Sequence, residues 1–287
     1  MTAVLALAAT PATARRAVPF LGVLGRGTEV VSWHRTASGP PPAAVLATSP
    51  EVLGDGLPEV PTAVWVDDLA GLRFAAAHGA EVVLSSREDL VDHGAVLVPR
   101  AGADVGRWPV LPPVVRTEQR RMLDLPDQFV VAVDHREATD DIVTILALAS
   151  AAVVTGPLLP LALALGTPVV TGPDTARRFG LRAGVEVEVA TGASAADAAA
   201  RSLAAWDLGA AALSRRGRRF AEAHLDLAHP AAAVRHRLGI GPLPRGGPLG
   251  RLSQRLDELS TPADARIRVR VAEAFAPFLD LDQGAVT

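Results

Sequence analysis

The chain has 287 residues, room for two modest domains each with its own core. An apolar share of 49% with 21% charged residues excludes a disordered chain, and a net charge of -3 gives no electrostatic reason to expect nucleic acid. Cysteine is absent, which excludes disulfides, thiolate catalysis and cysteine metal sites together.

The opening MTAVLALAATPATARR has a short apolar stretch with its arginines after it, the reverse of a secretion signal. Val4–Ala8 therefore reads as a first strand. Further short β-rich runs follow at helix-length spacing: Val30–Trp33, Ala44–Ala47, Ala63–Val66, Glu81–Ser85 and Val96–Val98. Most are too continuously apolar to have a wet face, so they predict a mainly parallel sheet covered on both sides. Arg107–Pro113 is proline-rich and reads as a connection between domains.

A second series comprises Phe129–Val133, Ala152–Thr155, Pro168–Thr171 and Val185–Val189. The uncharged run Ile142–Pro173 is long enough to span a bilayer, but Gly156-Pro157, Pro160 and Gly166-Thr167-Pro168 cut it into helix and strand lengths. A buried helix–strand–helix–strand unit is the expectation. Ser194 can cap a helix running to Trp206, with Asp197 three residues on. The next helix places Leu213, Gly217, Phe220 and His224 on one stripe, leaving Arg215, Arg218 and Arg219 to read as a solvated face. Gly239–Gly250 is a Gly/Pro joint, followed by two terminal helices over Arg251–Leu259 and Ala263–Leu281. The division expected is 1–113, 114–240 and a helical tail over 241–287.

Three stretches share an order with one family. Leu24-Gly25-Arg26-Gly27-Thr28-Glu29-Val30-Val31 is similar to L-x-x-R-G-H-E-V. Val98-Pro99-Arg100-Ala101-Gly102-Ala103-Asp104 with Trp108 matches the layout of V-I-P-N-G-V-D-x-x-x-F/W. Ala162–Val170 is similar to E-A-M-A-x-G-x-P-V-V. Together they resemble the GT-B nucleotide-sugar glycosyltransferases, especially the large retaining family, over roughly residues 1–240. The resemblance implies an α/β chain of two Rossmann-like lobes facing across a cleft. It places the acceptor mainly on the first lobe and the sugar nucleotide on the second.

Sugar transfer needs positive groups and helix amides where charge develops on the diphosphate. After Phe129–Val133 the family carries an Arg and a Lys; Arg136 matches the Arg, and all 28 basic residues here are Arg, so no Lys can fill the other role. Arg177, with Arg178, could substitute or could be a solvated helix start. Gly166 and Thr167 could face the diphosphate or form a simple structural turn. The family's paired glutamates are missing: the second position falls on Leu161, and no Glu occurs between Glu137 and Glu186. Where the family often has a His, Ala63–Val66 ends in Asp67-Asp68. Either carboxylate could act as general base towards an acceptor hydroxyl, or merely cap the next helix. The family's glycine-rich first loop is altered to Ala9-Thr10-Pro11-Ala12-Thr13.

Other constellations are weaker. His224, His229 and His236 lack the spacing of a helical metal pair, and Asp280-Leu281-Asp282 sits in a terminal stretch away from any nucleotide-binding context. Ser85 and Ser86 have no nucleophile-elbow setting. The expectation is a glycosyltransferase-like protein moving sugar from a nucleotide-sugar to a glycan, lipid-linked or cell-envelope acceptor. It needs no metal or other cofactor, has no transmembrane segment, and is cytoplasmic or peripheral at the inner face of the membrane. Two alternatives stay open: an inactive scaffold docking a partner through 251–281, and a sugar-nucleotide epimerase on a similar fold.

Overall fold

A computed structural model describes residues 3–8, 20–25, 28–32, 42–55, 59–99, 101–133 and 139–241. The Ala9–Thr13 loop, Arg26, Gly27, Trp33, Arg100, Arg136 with its neighbours, most of the Gly/Pro joint, the two terminal helices and Asp280–Asp282 lie outside the described residues.

Strands β1 (Ala3–Ala8), β2 (Thr28–Ser32), β3 (Ala44–Ala47), β4 (Thr62–Trp65), β5 (Val82–Ser85) and β6 (Val96–Leu97) form one sheet in the order β2-β1-β3-β4-β5-β6. Every pairing in it is parallel, for example Leu5↔Ala44 and Val64↔Val83. The sequence explains why: β3 and β4 are buried at every position. Alternate side chains feed two cores, Ala44 and Leu46 with Phe20 and Trp65 on one face, Val45 and Ala47 with Val64 and Ala75 on the other. The strand order reverses between β1 and β3, a topological switch point of the kind at which open α/β sheets bind ligands.

The second sheet is β10-β9-β8-β7, again all parallel: β7 (Val130–Val133), β8 (Ala151–Val154), β9 (Val169–Thr171) and β10 (Glu188–Val189). The uncharged run resolves into the expected alternation of a helix over Asp140–Leu148, β8, a helix over Leu159–Ala164 and β9. Among the described residues no helix is long and apolar enough to cross a membrane.

In chain order the helices described are α1 (Leu69–Ala77), α2 (Pro113–Met122), α3 (Asp140–Leu148), α4 (Leu159–Ala164), α5 (Pro173–Phe179), α6 (Ala193–Ala205), α7 (Asp207–Phe220) and α8 (Ala228–Arg237). Two local expectations need correction. Helix α6 starts at Ala193 behind Gly192 (φ 85°), so Ser194 lies inside it, and Asp197 pairs with Arg201 at 2.9 Å instead of reaching back to a cap. Arg218 is not solvated: its guanidinium donates to the Trp108 carbonyl at 2.6 Å, to the Ala164 carbonyl and to Glu222 Oε1 at 2.7 Å.

Among the described residues the chain passes between the sheets twice, and the two passages are paired. Ala103 N donates to Leu225 O at 2.9 Å and Leu227 N to Ala103 O at 2.9 Å, while Asp226 Oδ1 accepts from Val105 N and Ala228 N, each at 3.2 Å. Beyond this point α8 returns to the first sheet, burying Leu227, Ala231, Val234 and Leu238 in the core that holds Phe20 and Trp65. A buried Leu or Val contributes roughly 1.5–3 kcal/mol, against about 0.5–1.5 kcal/mol for a net backbone hydrogen bond. Burial of α8 therefore holds the lobes together, and the paired passages set the register.

A Cβ at Gly102 would lie 2.5 Å from Leu225 O and 2.8 Å from the Leu227 side chain. Gly102→Val is expected to lose about 1–3 kcal/mol of stability in denaturant unfolding, as overpacked sites do. Wild-type stability in that variant would contradict the pairing. The loop before β10 is closed by Glu186, which accepts Arg182 N at 2.8 Å and Nε at 3.1 Å. Burial raises the Glu186 carboxyl, but the Arg182 hydrogen bonds and charge outweigh it and hold the group below its ordinary value. Such a carboxylate contributes stability above its unfolded-state value and loses it as pH falls through the lower folded one. Glu186→Gln should flatten the acid limb of a stability–pH curve; an unchanged limb would contradict this.

Candidate active site

Parallel strands put all their carboxyl ends on one edge, where ligands collect in folds of this kind. On the first sheet that edge is set by side-chain hydroxyls. Buried Ser85 donates to Val66 O at 3.0 Å and accepts from Arg87 N at 3.2 Å, which fixes the backbone leading into Asp67. On the second sheet, buried Thr171 donates to Val154 O at 2.7 Å, the same device between β9 and β8.

A cavity of about 510 Å³ opens beyond β3 and β4, lined by Ser49, Pro50, Glu51, Asp67, Asp68, Ala70, Gly71 and Phe74. Its position is beside the switch point. Asp68 is the N-cap of α1, with Oδ1 accepting from Gly71 N at 2.7 Å, so one of its oxygens is committed to the helix. Asp67 precedes the cap, is exposed, and its backbone carbonyl lies 3.4 Å from Arg87 Nη1. The Arg87 fork itself is engaged on Asp89, with Nε to Oδ1 at 2.9 Å and Nη2 to Oδ2 at 2.6 Å. The Asp89 hydrogen bond is the main reason the Arg87 guanidinium is held above its ordinary value, and the charges of Asp68 and Asp67 add to it. Phe74 is 40% exposed and stacks on His78 with ring centroids 3.9 Å apart.

Asp67 and Asp68, singled out in the sequence, line this cavity beside Ser49, Glu51 and Phe74, which no motif marks. A signal was present: the wholly apolar β3 is followed at once by Thr48-Ser49, polar residues placed where a buried strand reaches its carboxyl edge.

Gly166 and Thr167 lie elsewhere. They join α4 to β9, which puts them on the amino edge of the second sheet, on the order of 15 Å of strand away from Gly172 on the carboxyl edge. Their polar groups are already used. Thr167 is buried and donates to Leu146 O at 2.7 Å; the Gly166 carbonyl accepts from Ser214 Oγ at 2.5 Å and Arg116 Nη2 at 3.2 Å. Arg116 also donates to Leu165 O at 2.9 Å, and burial, then the charge of Arg120, pushes its guanidinium below the ordinary value. Gly166 adopts φ 66°, and a Cβ there would meet Val110 at 2.9 Å. On this edge and with these bonds Gly166 and Thr167 form a structural turn, the second of the two readings the sequence left open for them.

Arg177 is on the correct edge, in α5 directly after β9. Its side chain is 78% exposed, with one ion pair to Asp174 at 3.1 Å. A pair so exposed holds the guanidinium weakly. Thr155 and Gly156 (φ 65°) follow β8 on the same edge, and Arg136 follows the end of β7 in sequence but lies outside the described residues. The structure thus brings Asp67 and Asp68 together, puts Arg177 on a carboxyl edge, and separates Gly166 and Thr167 from both. Helix α4 is buried throughout, with Leu161 where the resemblance puts a glutamate.

No protein-family model matches the chain, and no curated protein matches it. Solved structures do. The crystal structure of Anabaena HepE in complex with UDP aligns over 83% of this chain and 99% of that chain, with a TM-score of 0.53 and 13% identity. The HepE complex with UDP and glucose aligns over 83% and 100%, with a TM-score of 0.50 and 12% identity. The HepE complex with UDP-glucose gives 83%, 100%, 0.50 and 13%. At such identities the likeness is one of fold, and the fold is the GT-B arrangement of two parallel α/β lobes.

Gly166→Ala separates the turn from a ligand role. It is expected to lower stability by about 1–3 kcal/mol through its strained φ, while the affinity of the folded protein for UDP stays unchanged. A variant of full stability with weakened UDP binding would restore the phosphate role.

Proposed function

We propose that this chain binds a nucleotide-sugar and transfers the sugar to a hydroxyl of a glycan or cell-envelope acceptor. The observation that carries the reading is the GT-B fold together with its likeness to a protein crystallised with UDP, with UDP and glucose, and with UDP-glucose. The placement of polar groups supports it. The carboxyl edge of the second sheet offers Arg177, the Thr155-Gly156 turn and, by position in the sequence, Arg136 to a diphosphate. The carboxyl edge of the first sheet offers a cavity with carboxylates to an acceptor.

In this scheme the acceptor oxygen bonds to the anomeric carbon, its proton passes to Asp67, and the bond to the nucleotide diphosphate breaks. Asp68 positions α1 beside it through its cap. Arg136 and Arg177 stabilise the charge that develops on the leaving diphosphate. Metal-free stabilisation of this kind relies wholly on guanidinium and amide groups, since the chain has no lysine.

A second reading is a member that binds its partners without turnover. The apolar α4, with no carboxylate in it, favours that reading. Calorimetry with UDP, GDP and their sugar conjugates, followed by a donor-hydrolysis assay, decides between the two. The transferase reading predicts binding and turnover. Arg136→Ala and Arg177→Ala should each weaken UDP binding, by about 1.5–3 kcal/mol for a fully made charge-assisted hydrogen bond. Asp67→Asn should cut turnover roughly 10²–10⁴-fold with UDP affinity intact. Binding without hydrolysis or transfer removes the transferase step, and no binding to any nucleotide sinks the first reading and favours the scaffold.

A further inference from the structure

Helices α2 and α7 both lie against the amino edge of the second sheet. Arg116 of α2 and Ser214 of α7 donate to the same Gly166 carbonyl, and Arg218 of α7 donates to the Ala164 carbonyl. The side of each helix opposite these donors faces away from the lobe. Helix α2 is inverted as a result: none of its residues is buried, Arg116 is partly covered, and Val114 and Met122 are largely exposed.

On α7 the outward face combines two independent features. Leu213 and Gly217 are buried on the inner side, while Leu208, Arg215 and Arg219, spaced at i, i+7 and i+11, line up on the outer one with Arg216 beside them. The first feature is apolar. Leu208 is 80% exposed, and Trp206, whose ring lies over Gly209 at the start of the helix, is 61% exposed. The second is charge. Arg215, Arg216 and Arg219 are exposed, and none makes an ion pair or hydrogen bond with a described residue. An ordinary solvated face intersperses both signs. Here Asp207 stands in the first turn, where the helix dipole favours it, and Glu222 is taken by Arg218 at 2.7 Å, so neither carboxylate pairs with the three cations.

We propose that α7 docks this protein on an anionic lipid bilayer, with Arg215, Arg216 and Arg219 at the phosphate headgroups and Trp206 and Leu208 in the interface. Unpaired cations are complementary to anionic headgroups, and exposed tryptophan and leucine beside them gain from entering the headgroup–acyl boundary. A second copy of the chain fits this face poorly, because a two-fold contact centred on α7 would set the same three arginines against one another. The docking face uses the amino edge of the second sheet and the proposed diphosphate site its carboxyl edge, so the inference stands apart from the transferase reading.

The test is co-sedimentation of the full chain with vesicles of phosphatidylcholine alone and of phosphatidylcholine mixed with phosphatidylglycerol. The protein should favour the anionic vesicles, and the preference should fall as salt rises. Arg215→Gln, Arg216→Gln and Arg219→Gln combined should weaken that binding on the order of a hundredfold, about fivefold per charge, with the unfolding curve unchanged because all three positions are exposed. Leu208→Ser should weaken binding at every salt concentration. Lipids brominated on the acyl chain should quench the tryptophan fluorescence, and Trp206→Phe should remove that quenching. Equal binding to both vesicle types, or anionic binding that the triple variant retains in full, overturns the proposal. So does an absence of binding to either vesicle, the result expected if the face is made for an acidic protein surface.

Discussion

Residues 101–105 carry the chain from the first sheet to the second, residues 225–228 bring it back, and the two passages lie against each other through the Ala103 and Asp226 hydrogen bonds. The close approach requires a residue without a side chain at Gly102, whose Cβ would otherwise strike the Leu225 carbonyl. Pairing both crossings at one place gives the lobes a shared junction among the described residues. With α8 buried on the first sheet, separating the lobes would expose two leucines and a valine, a cost of several kcal/mol at roughly 1.5–3 kcal/mol each.

The two edges of each sheet are put to different uses. On the amino edge of the second sheet, the end of α4 is tied down: Arg116, Arg218 and Ser214 all donate to carbonyls between Ala164 and Gly166. Cationic donors at a helix C-terminus are favourable both as hydrogen bonds and against the helix dipole. Groups used in this way are not available to a substrate. On the carboxyl edges Ser85 and Thr171 are tied down in the same way, while the Ser49 hydroxyl makes no hydrogen bond to a described residue and Arg177 is held by an exposed ion pair.

The strands were legible because burial on both faces leaves a simple trace, short runs of Ala, Val and Leu between turn residues. Ala44–Ala47 matches residue for residue, and the others differ by a residue or two, apart from β10, which is shorter than its apolar run. What the sequence hid was direction and partner. Gly166-Thr167 resembles a ligand turn until β9 shows which end of the strand it precedes. Arg218 shares its segment with exposed arginines, and only the fold brings the Trp108 and Ala164 carbonyls to it. Asp68 could be read as a base or a cap from its position at a strand end; the 2.7 Å bond to Gly71 N assigns it the cap. Ser49 and Phe74 come from separate segments, so no local motif joins them.

The measurement that bears most directly on the account is the crystal structure of this chain with UDP bound. The account predicts the diphosphate on the carboxyl edge of the second sheet, against the start of α5 and the Thr155-Gly156 turn, with Arg136 or Arg177 in contact. A diphosphate at the Gly166-Thr167 edge, or crystals grown in saturating UDP that hold none, would contradict it.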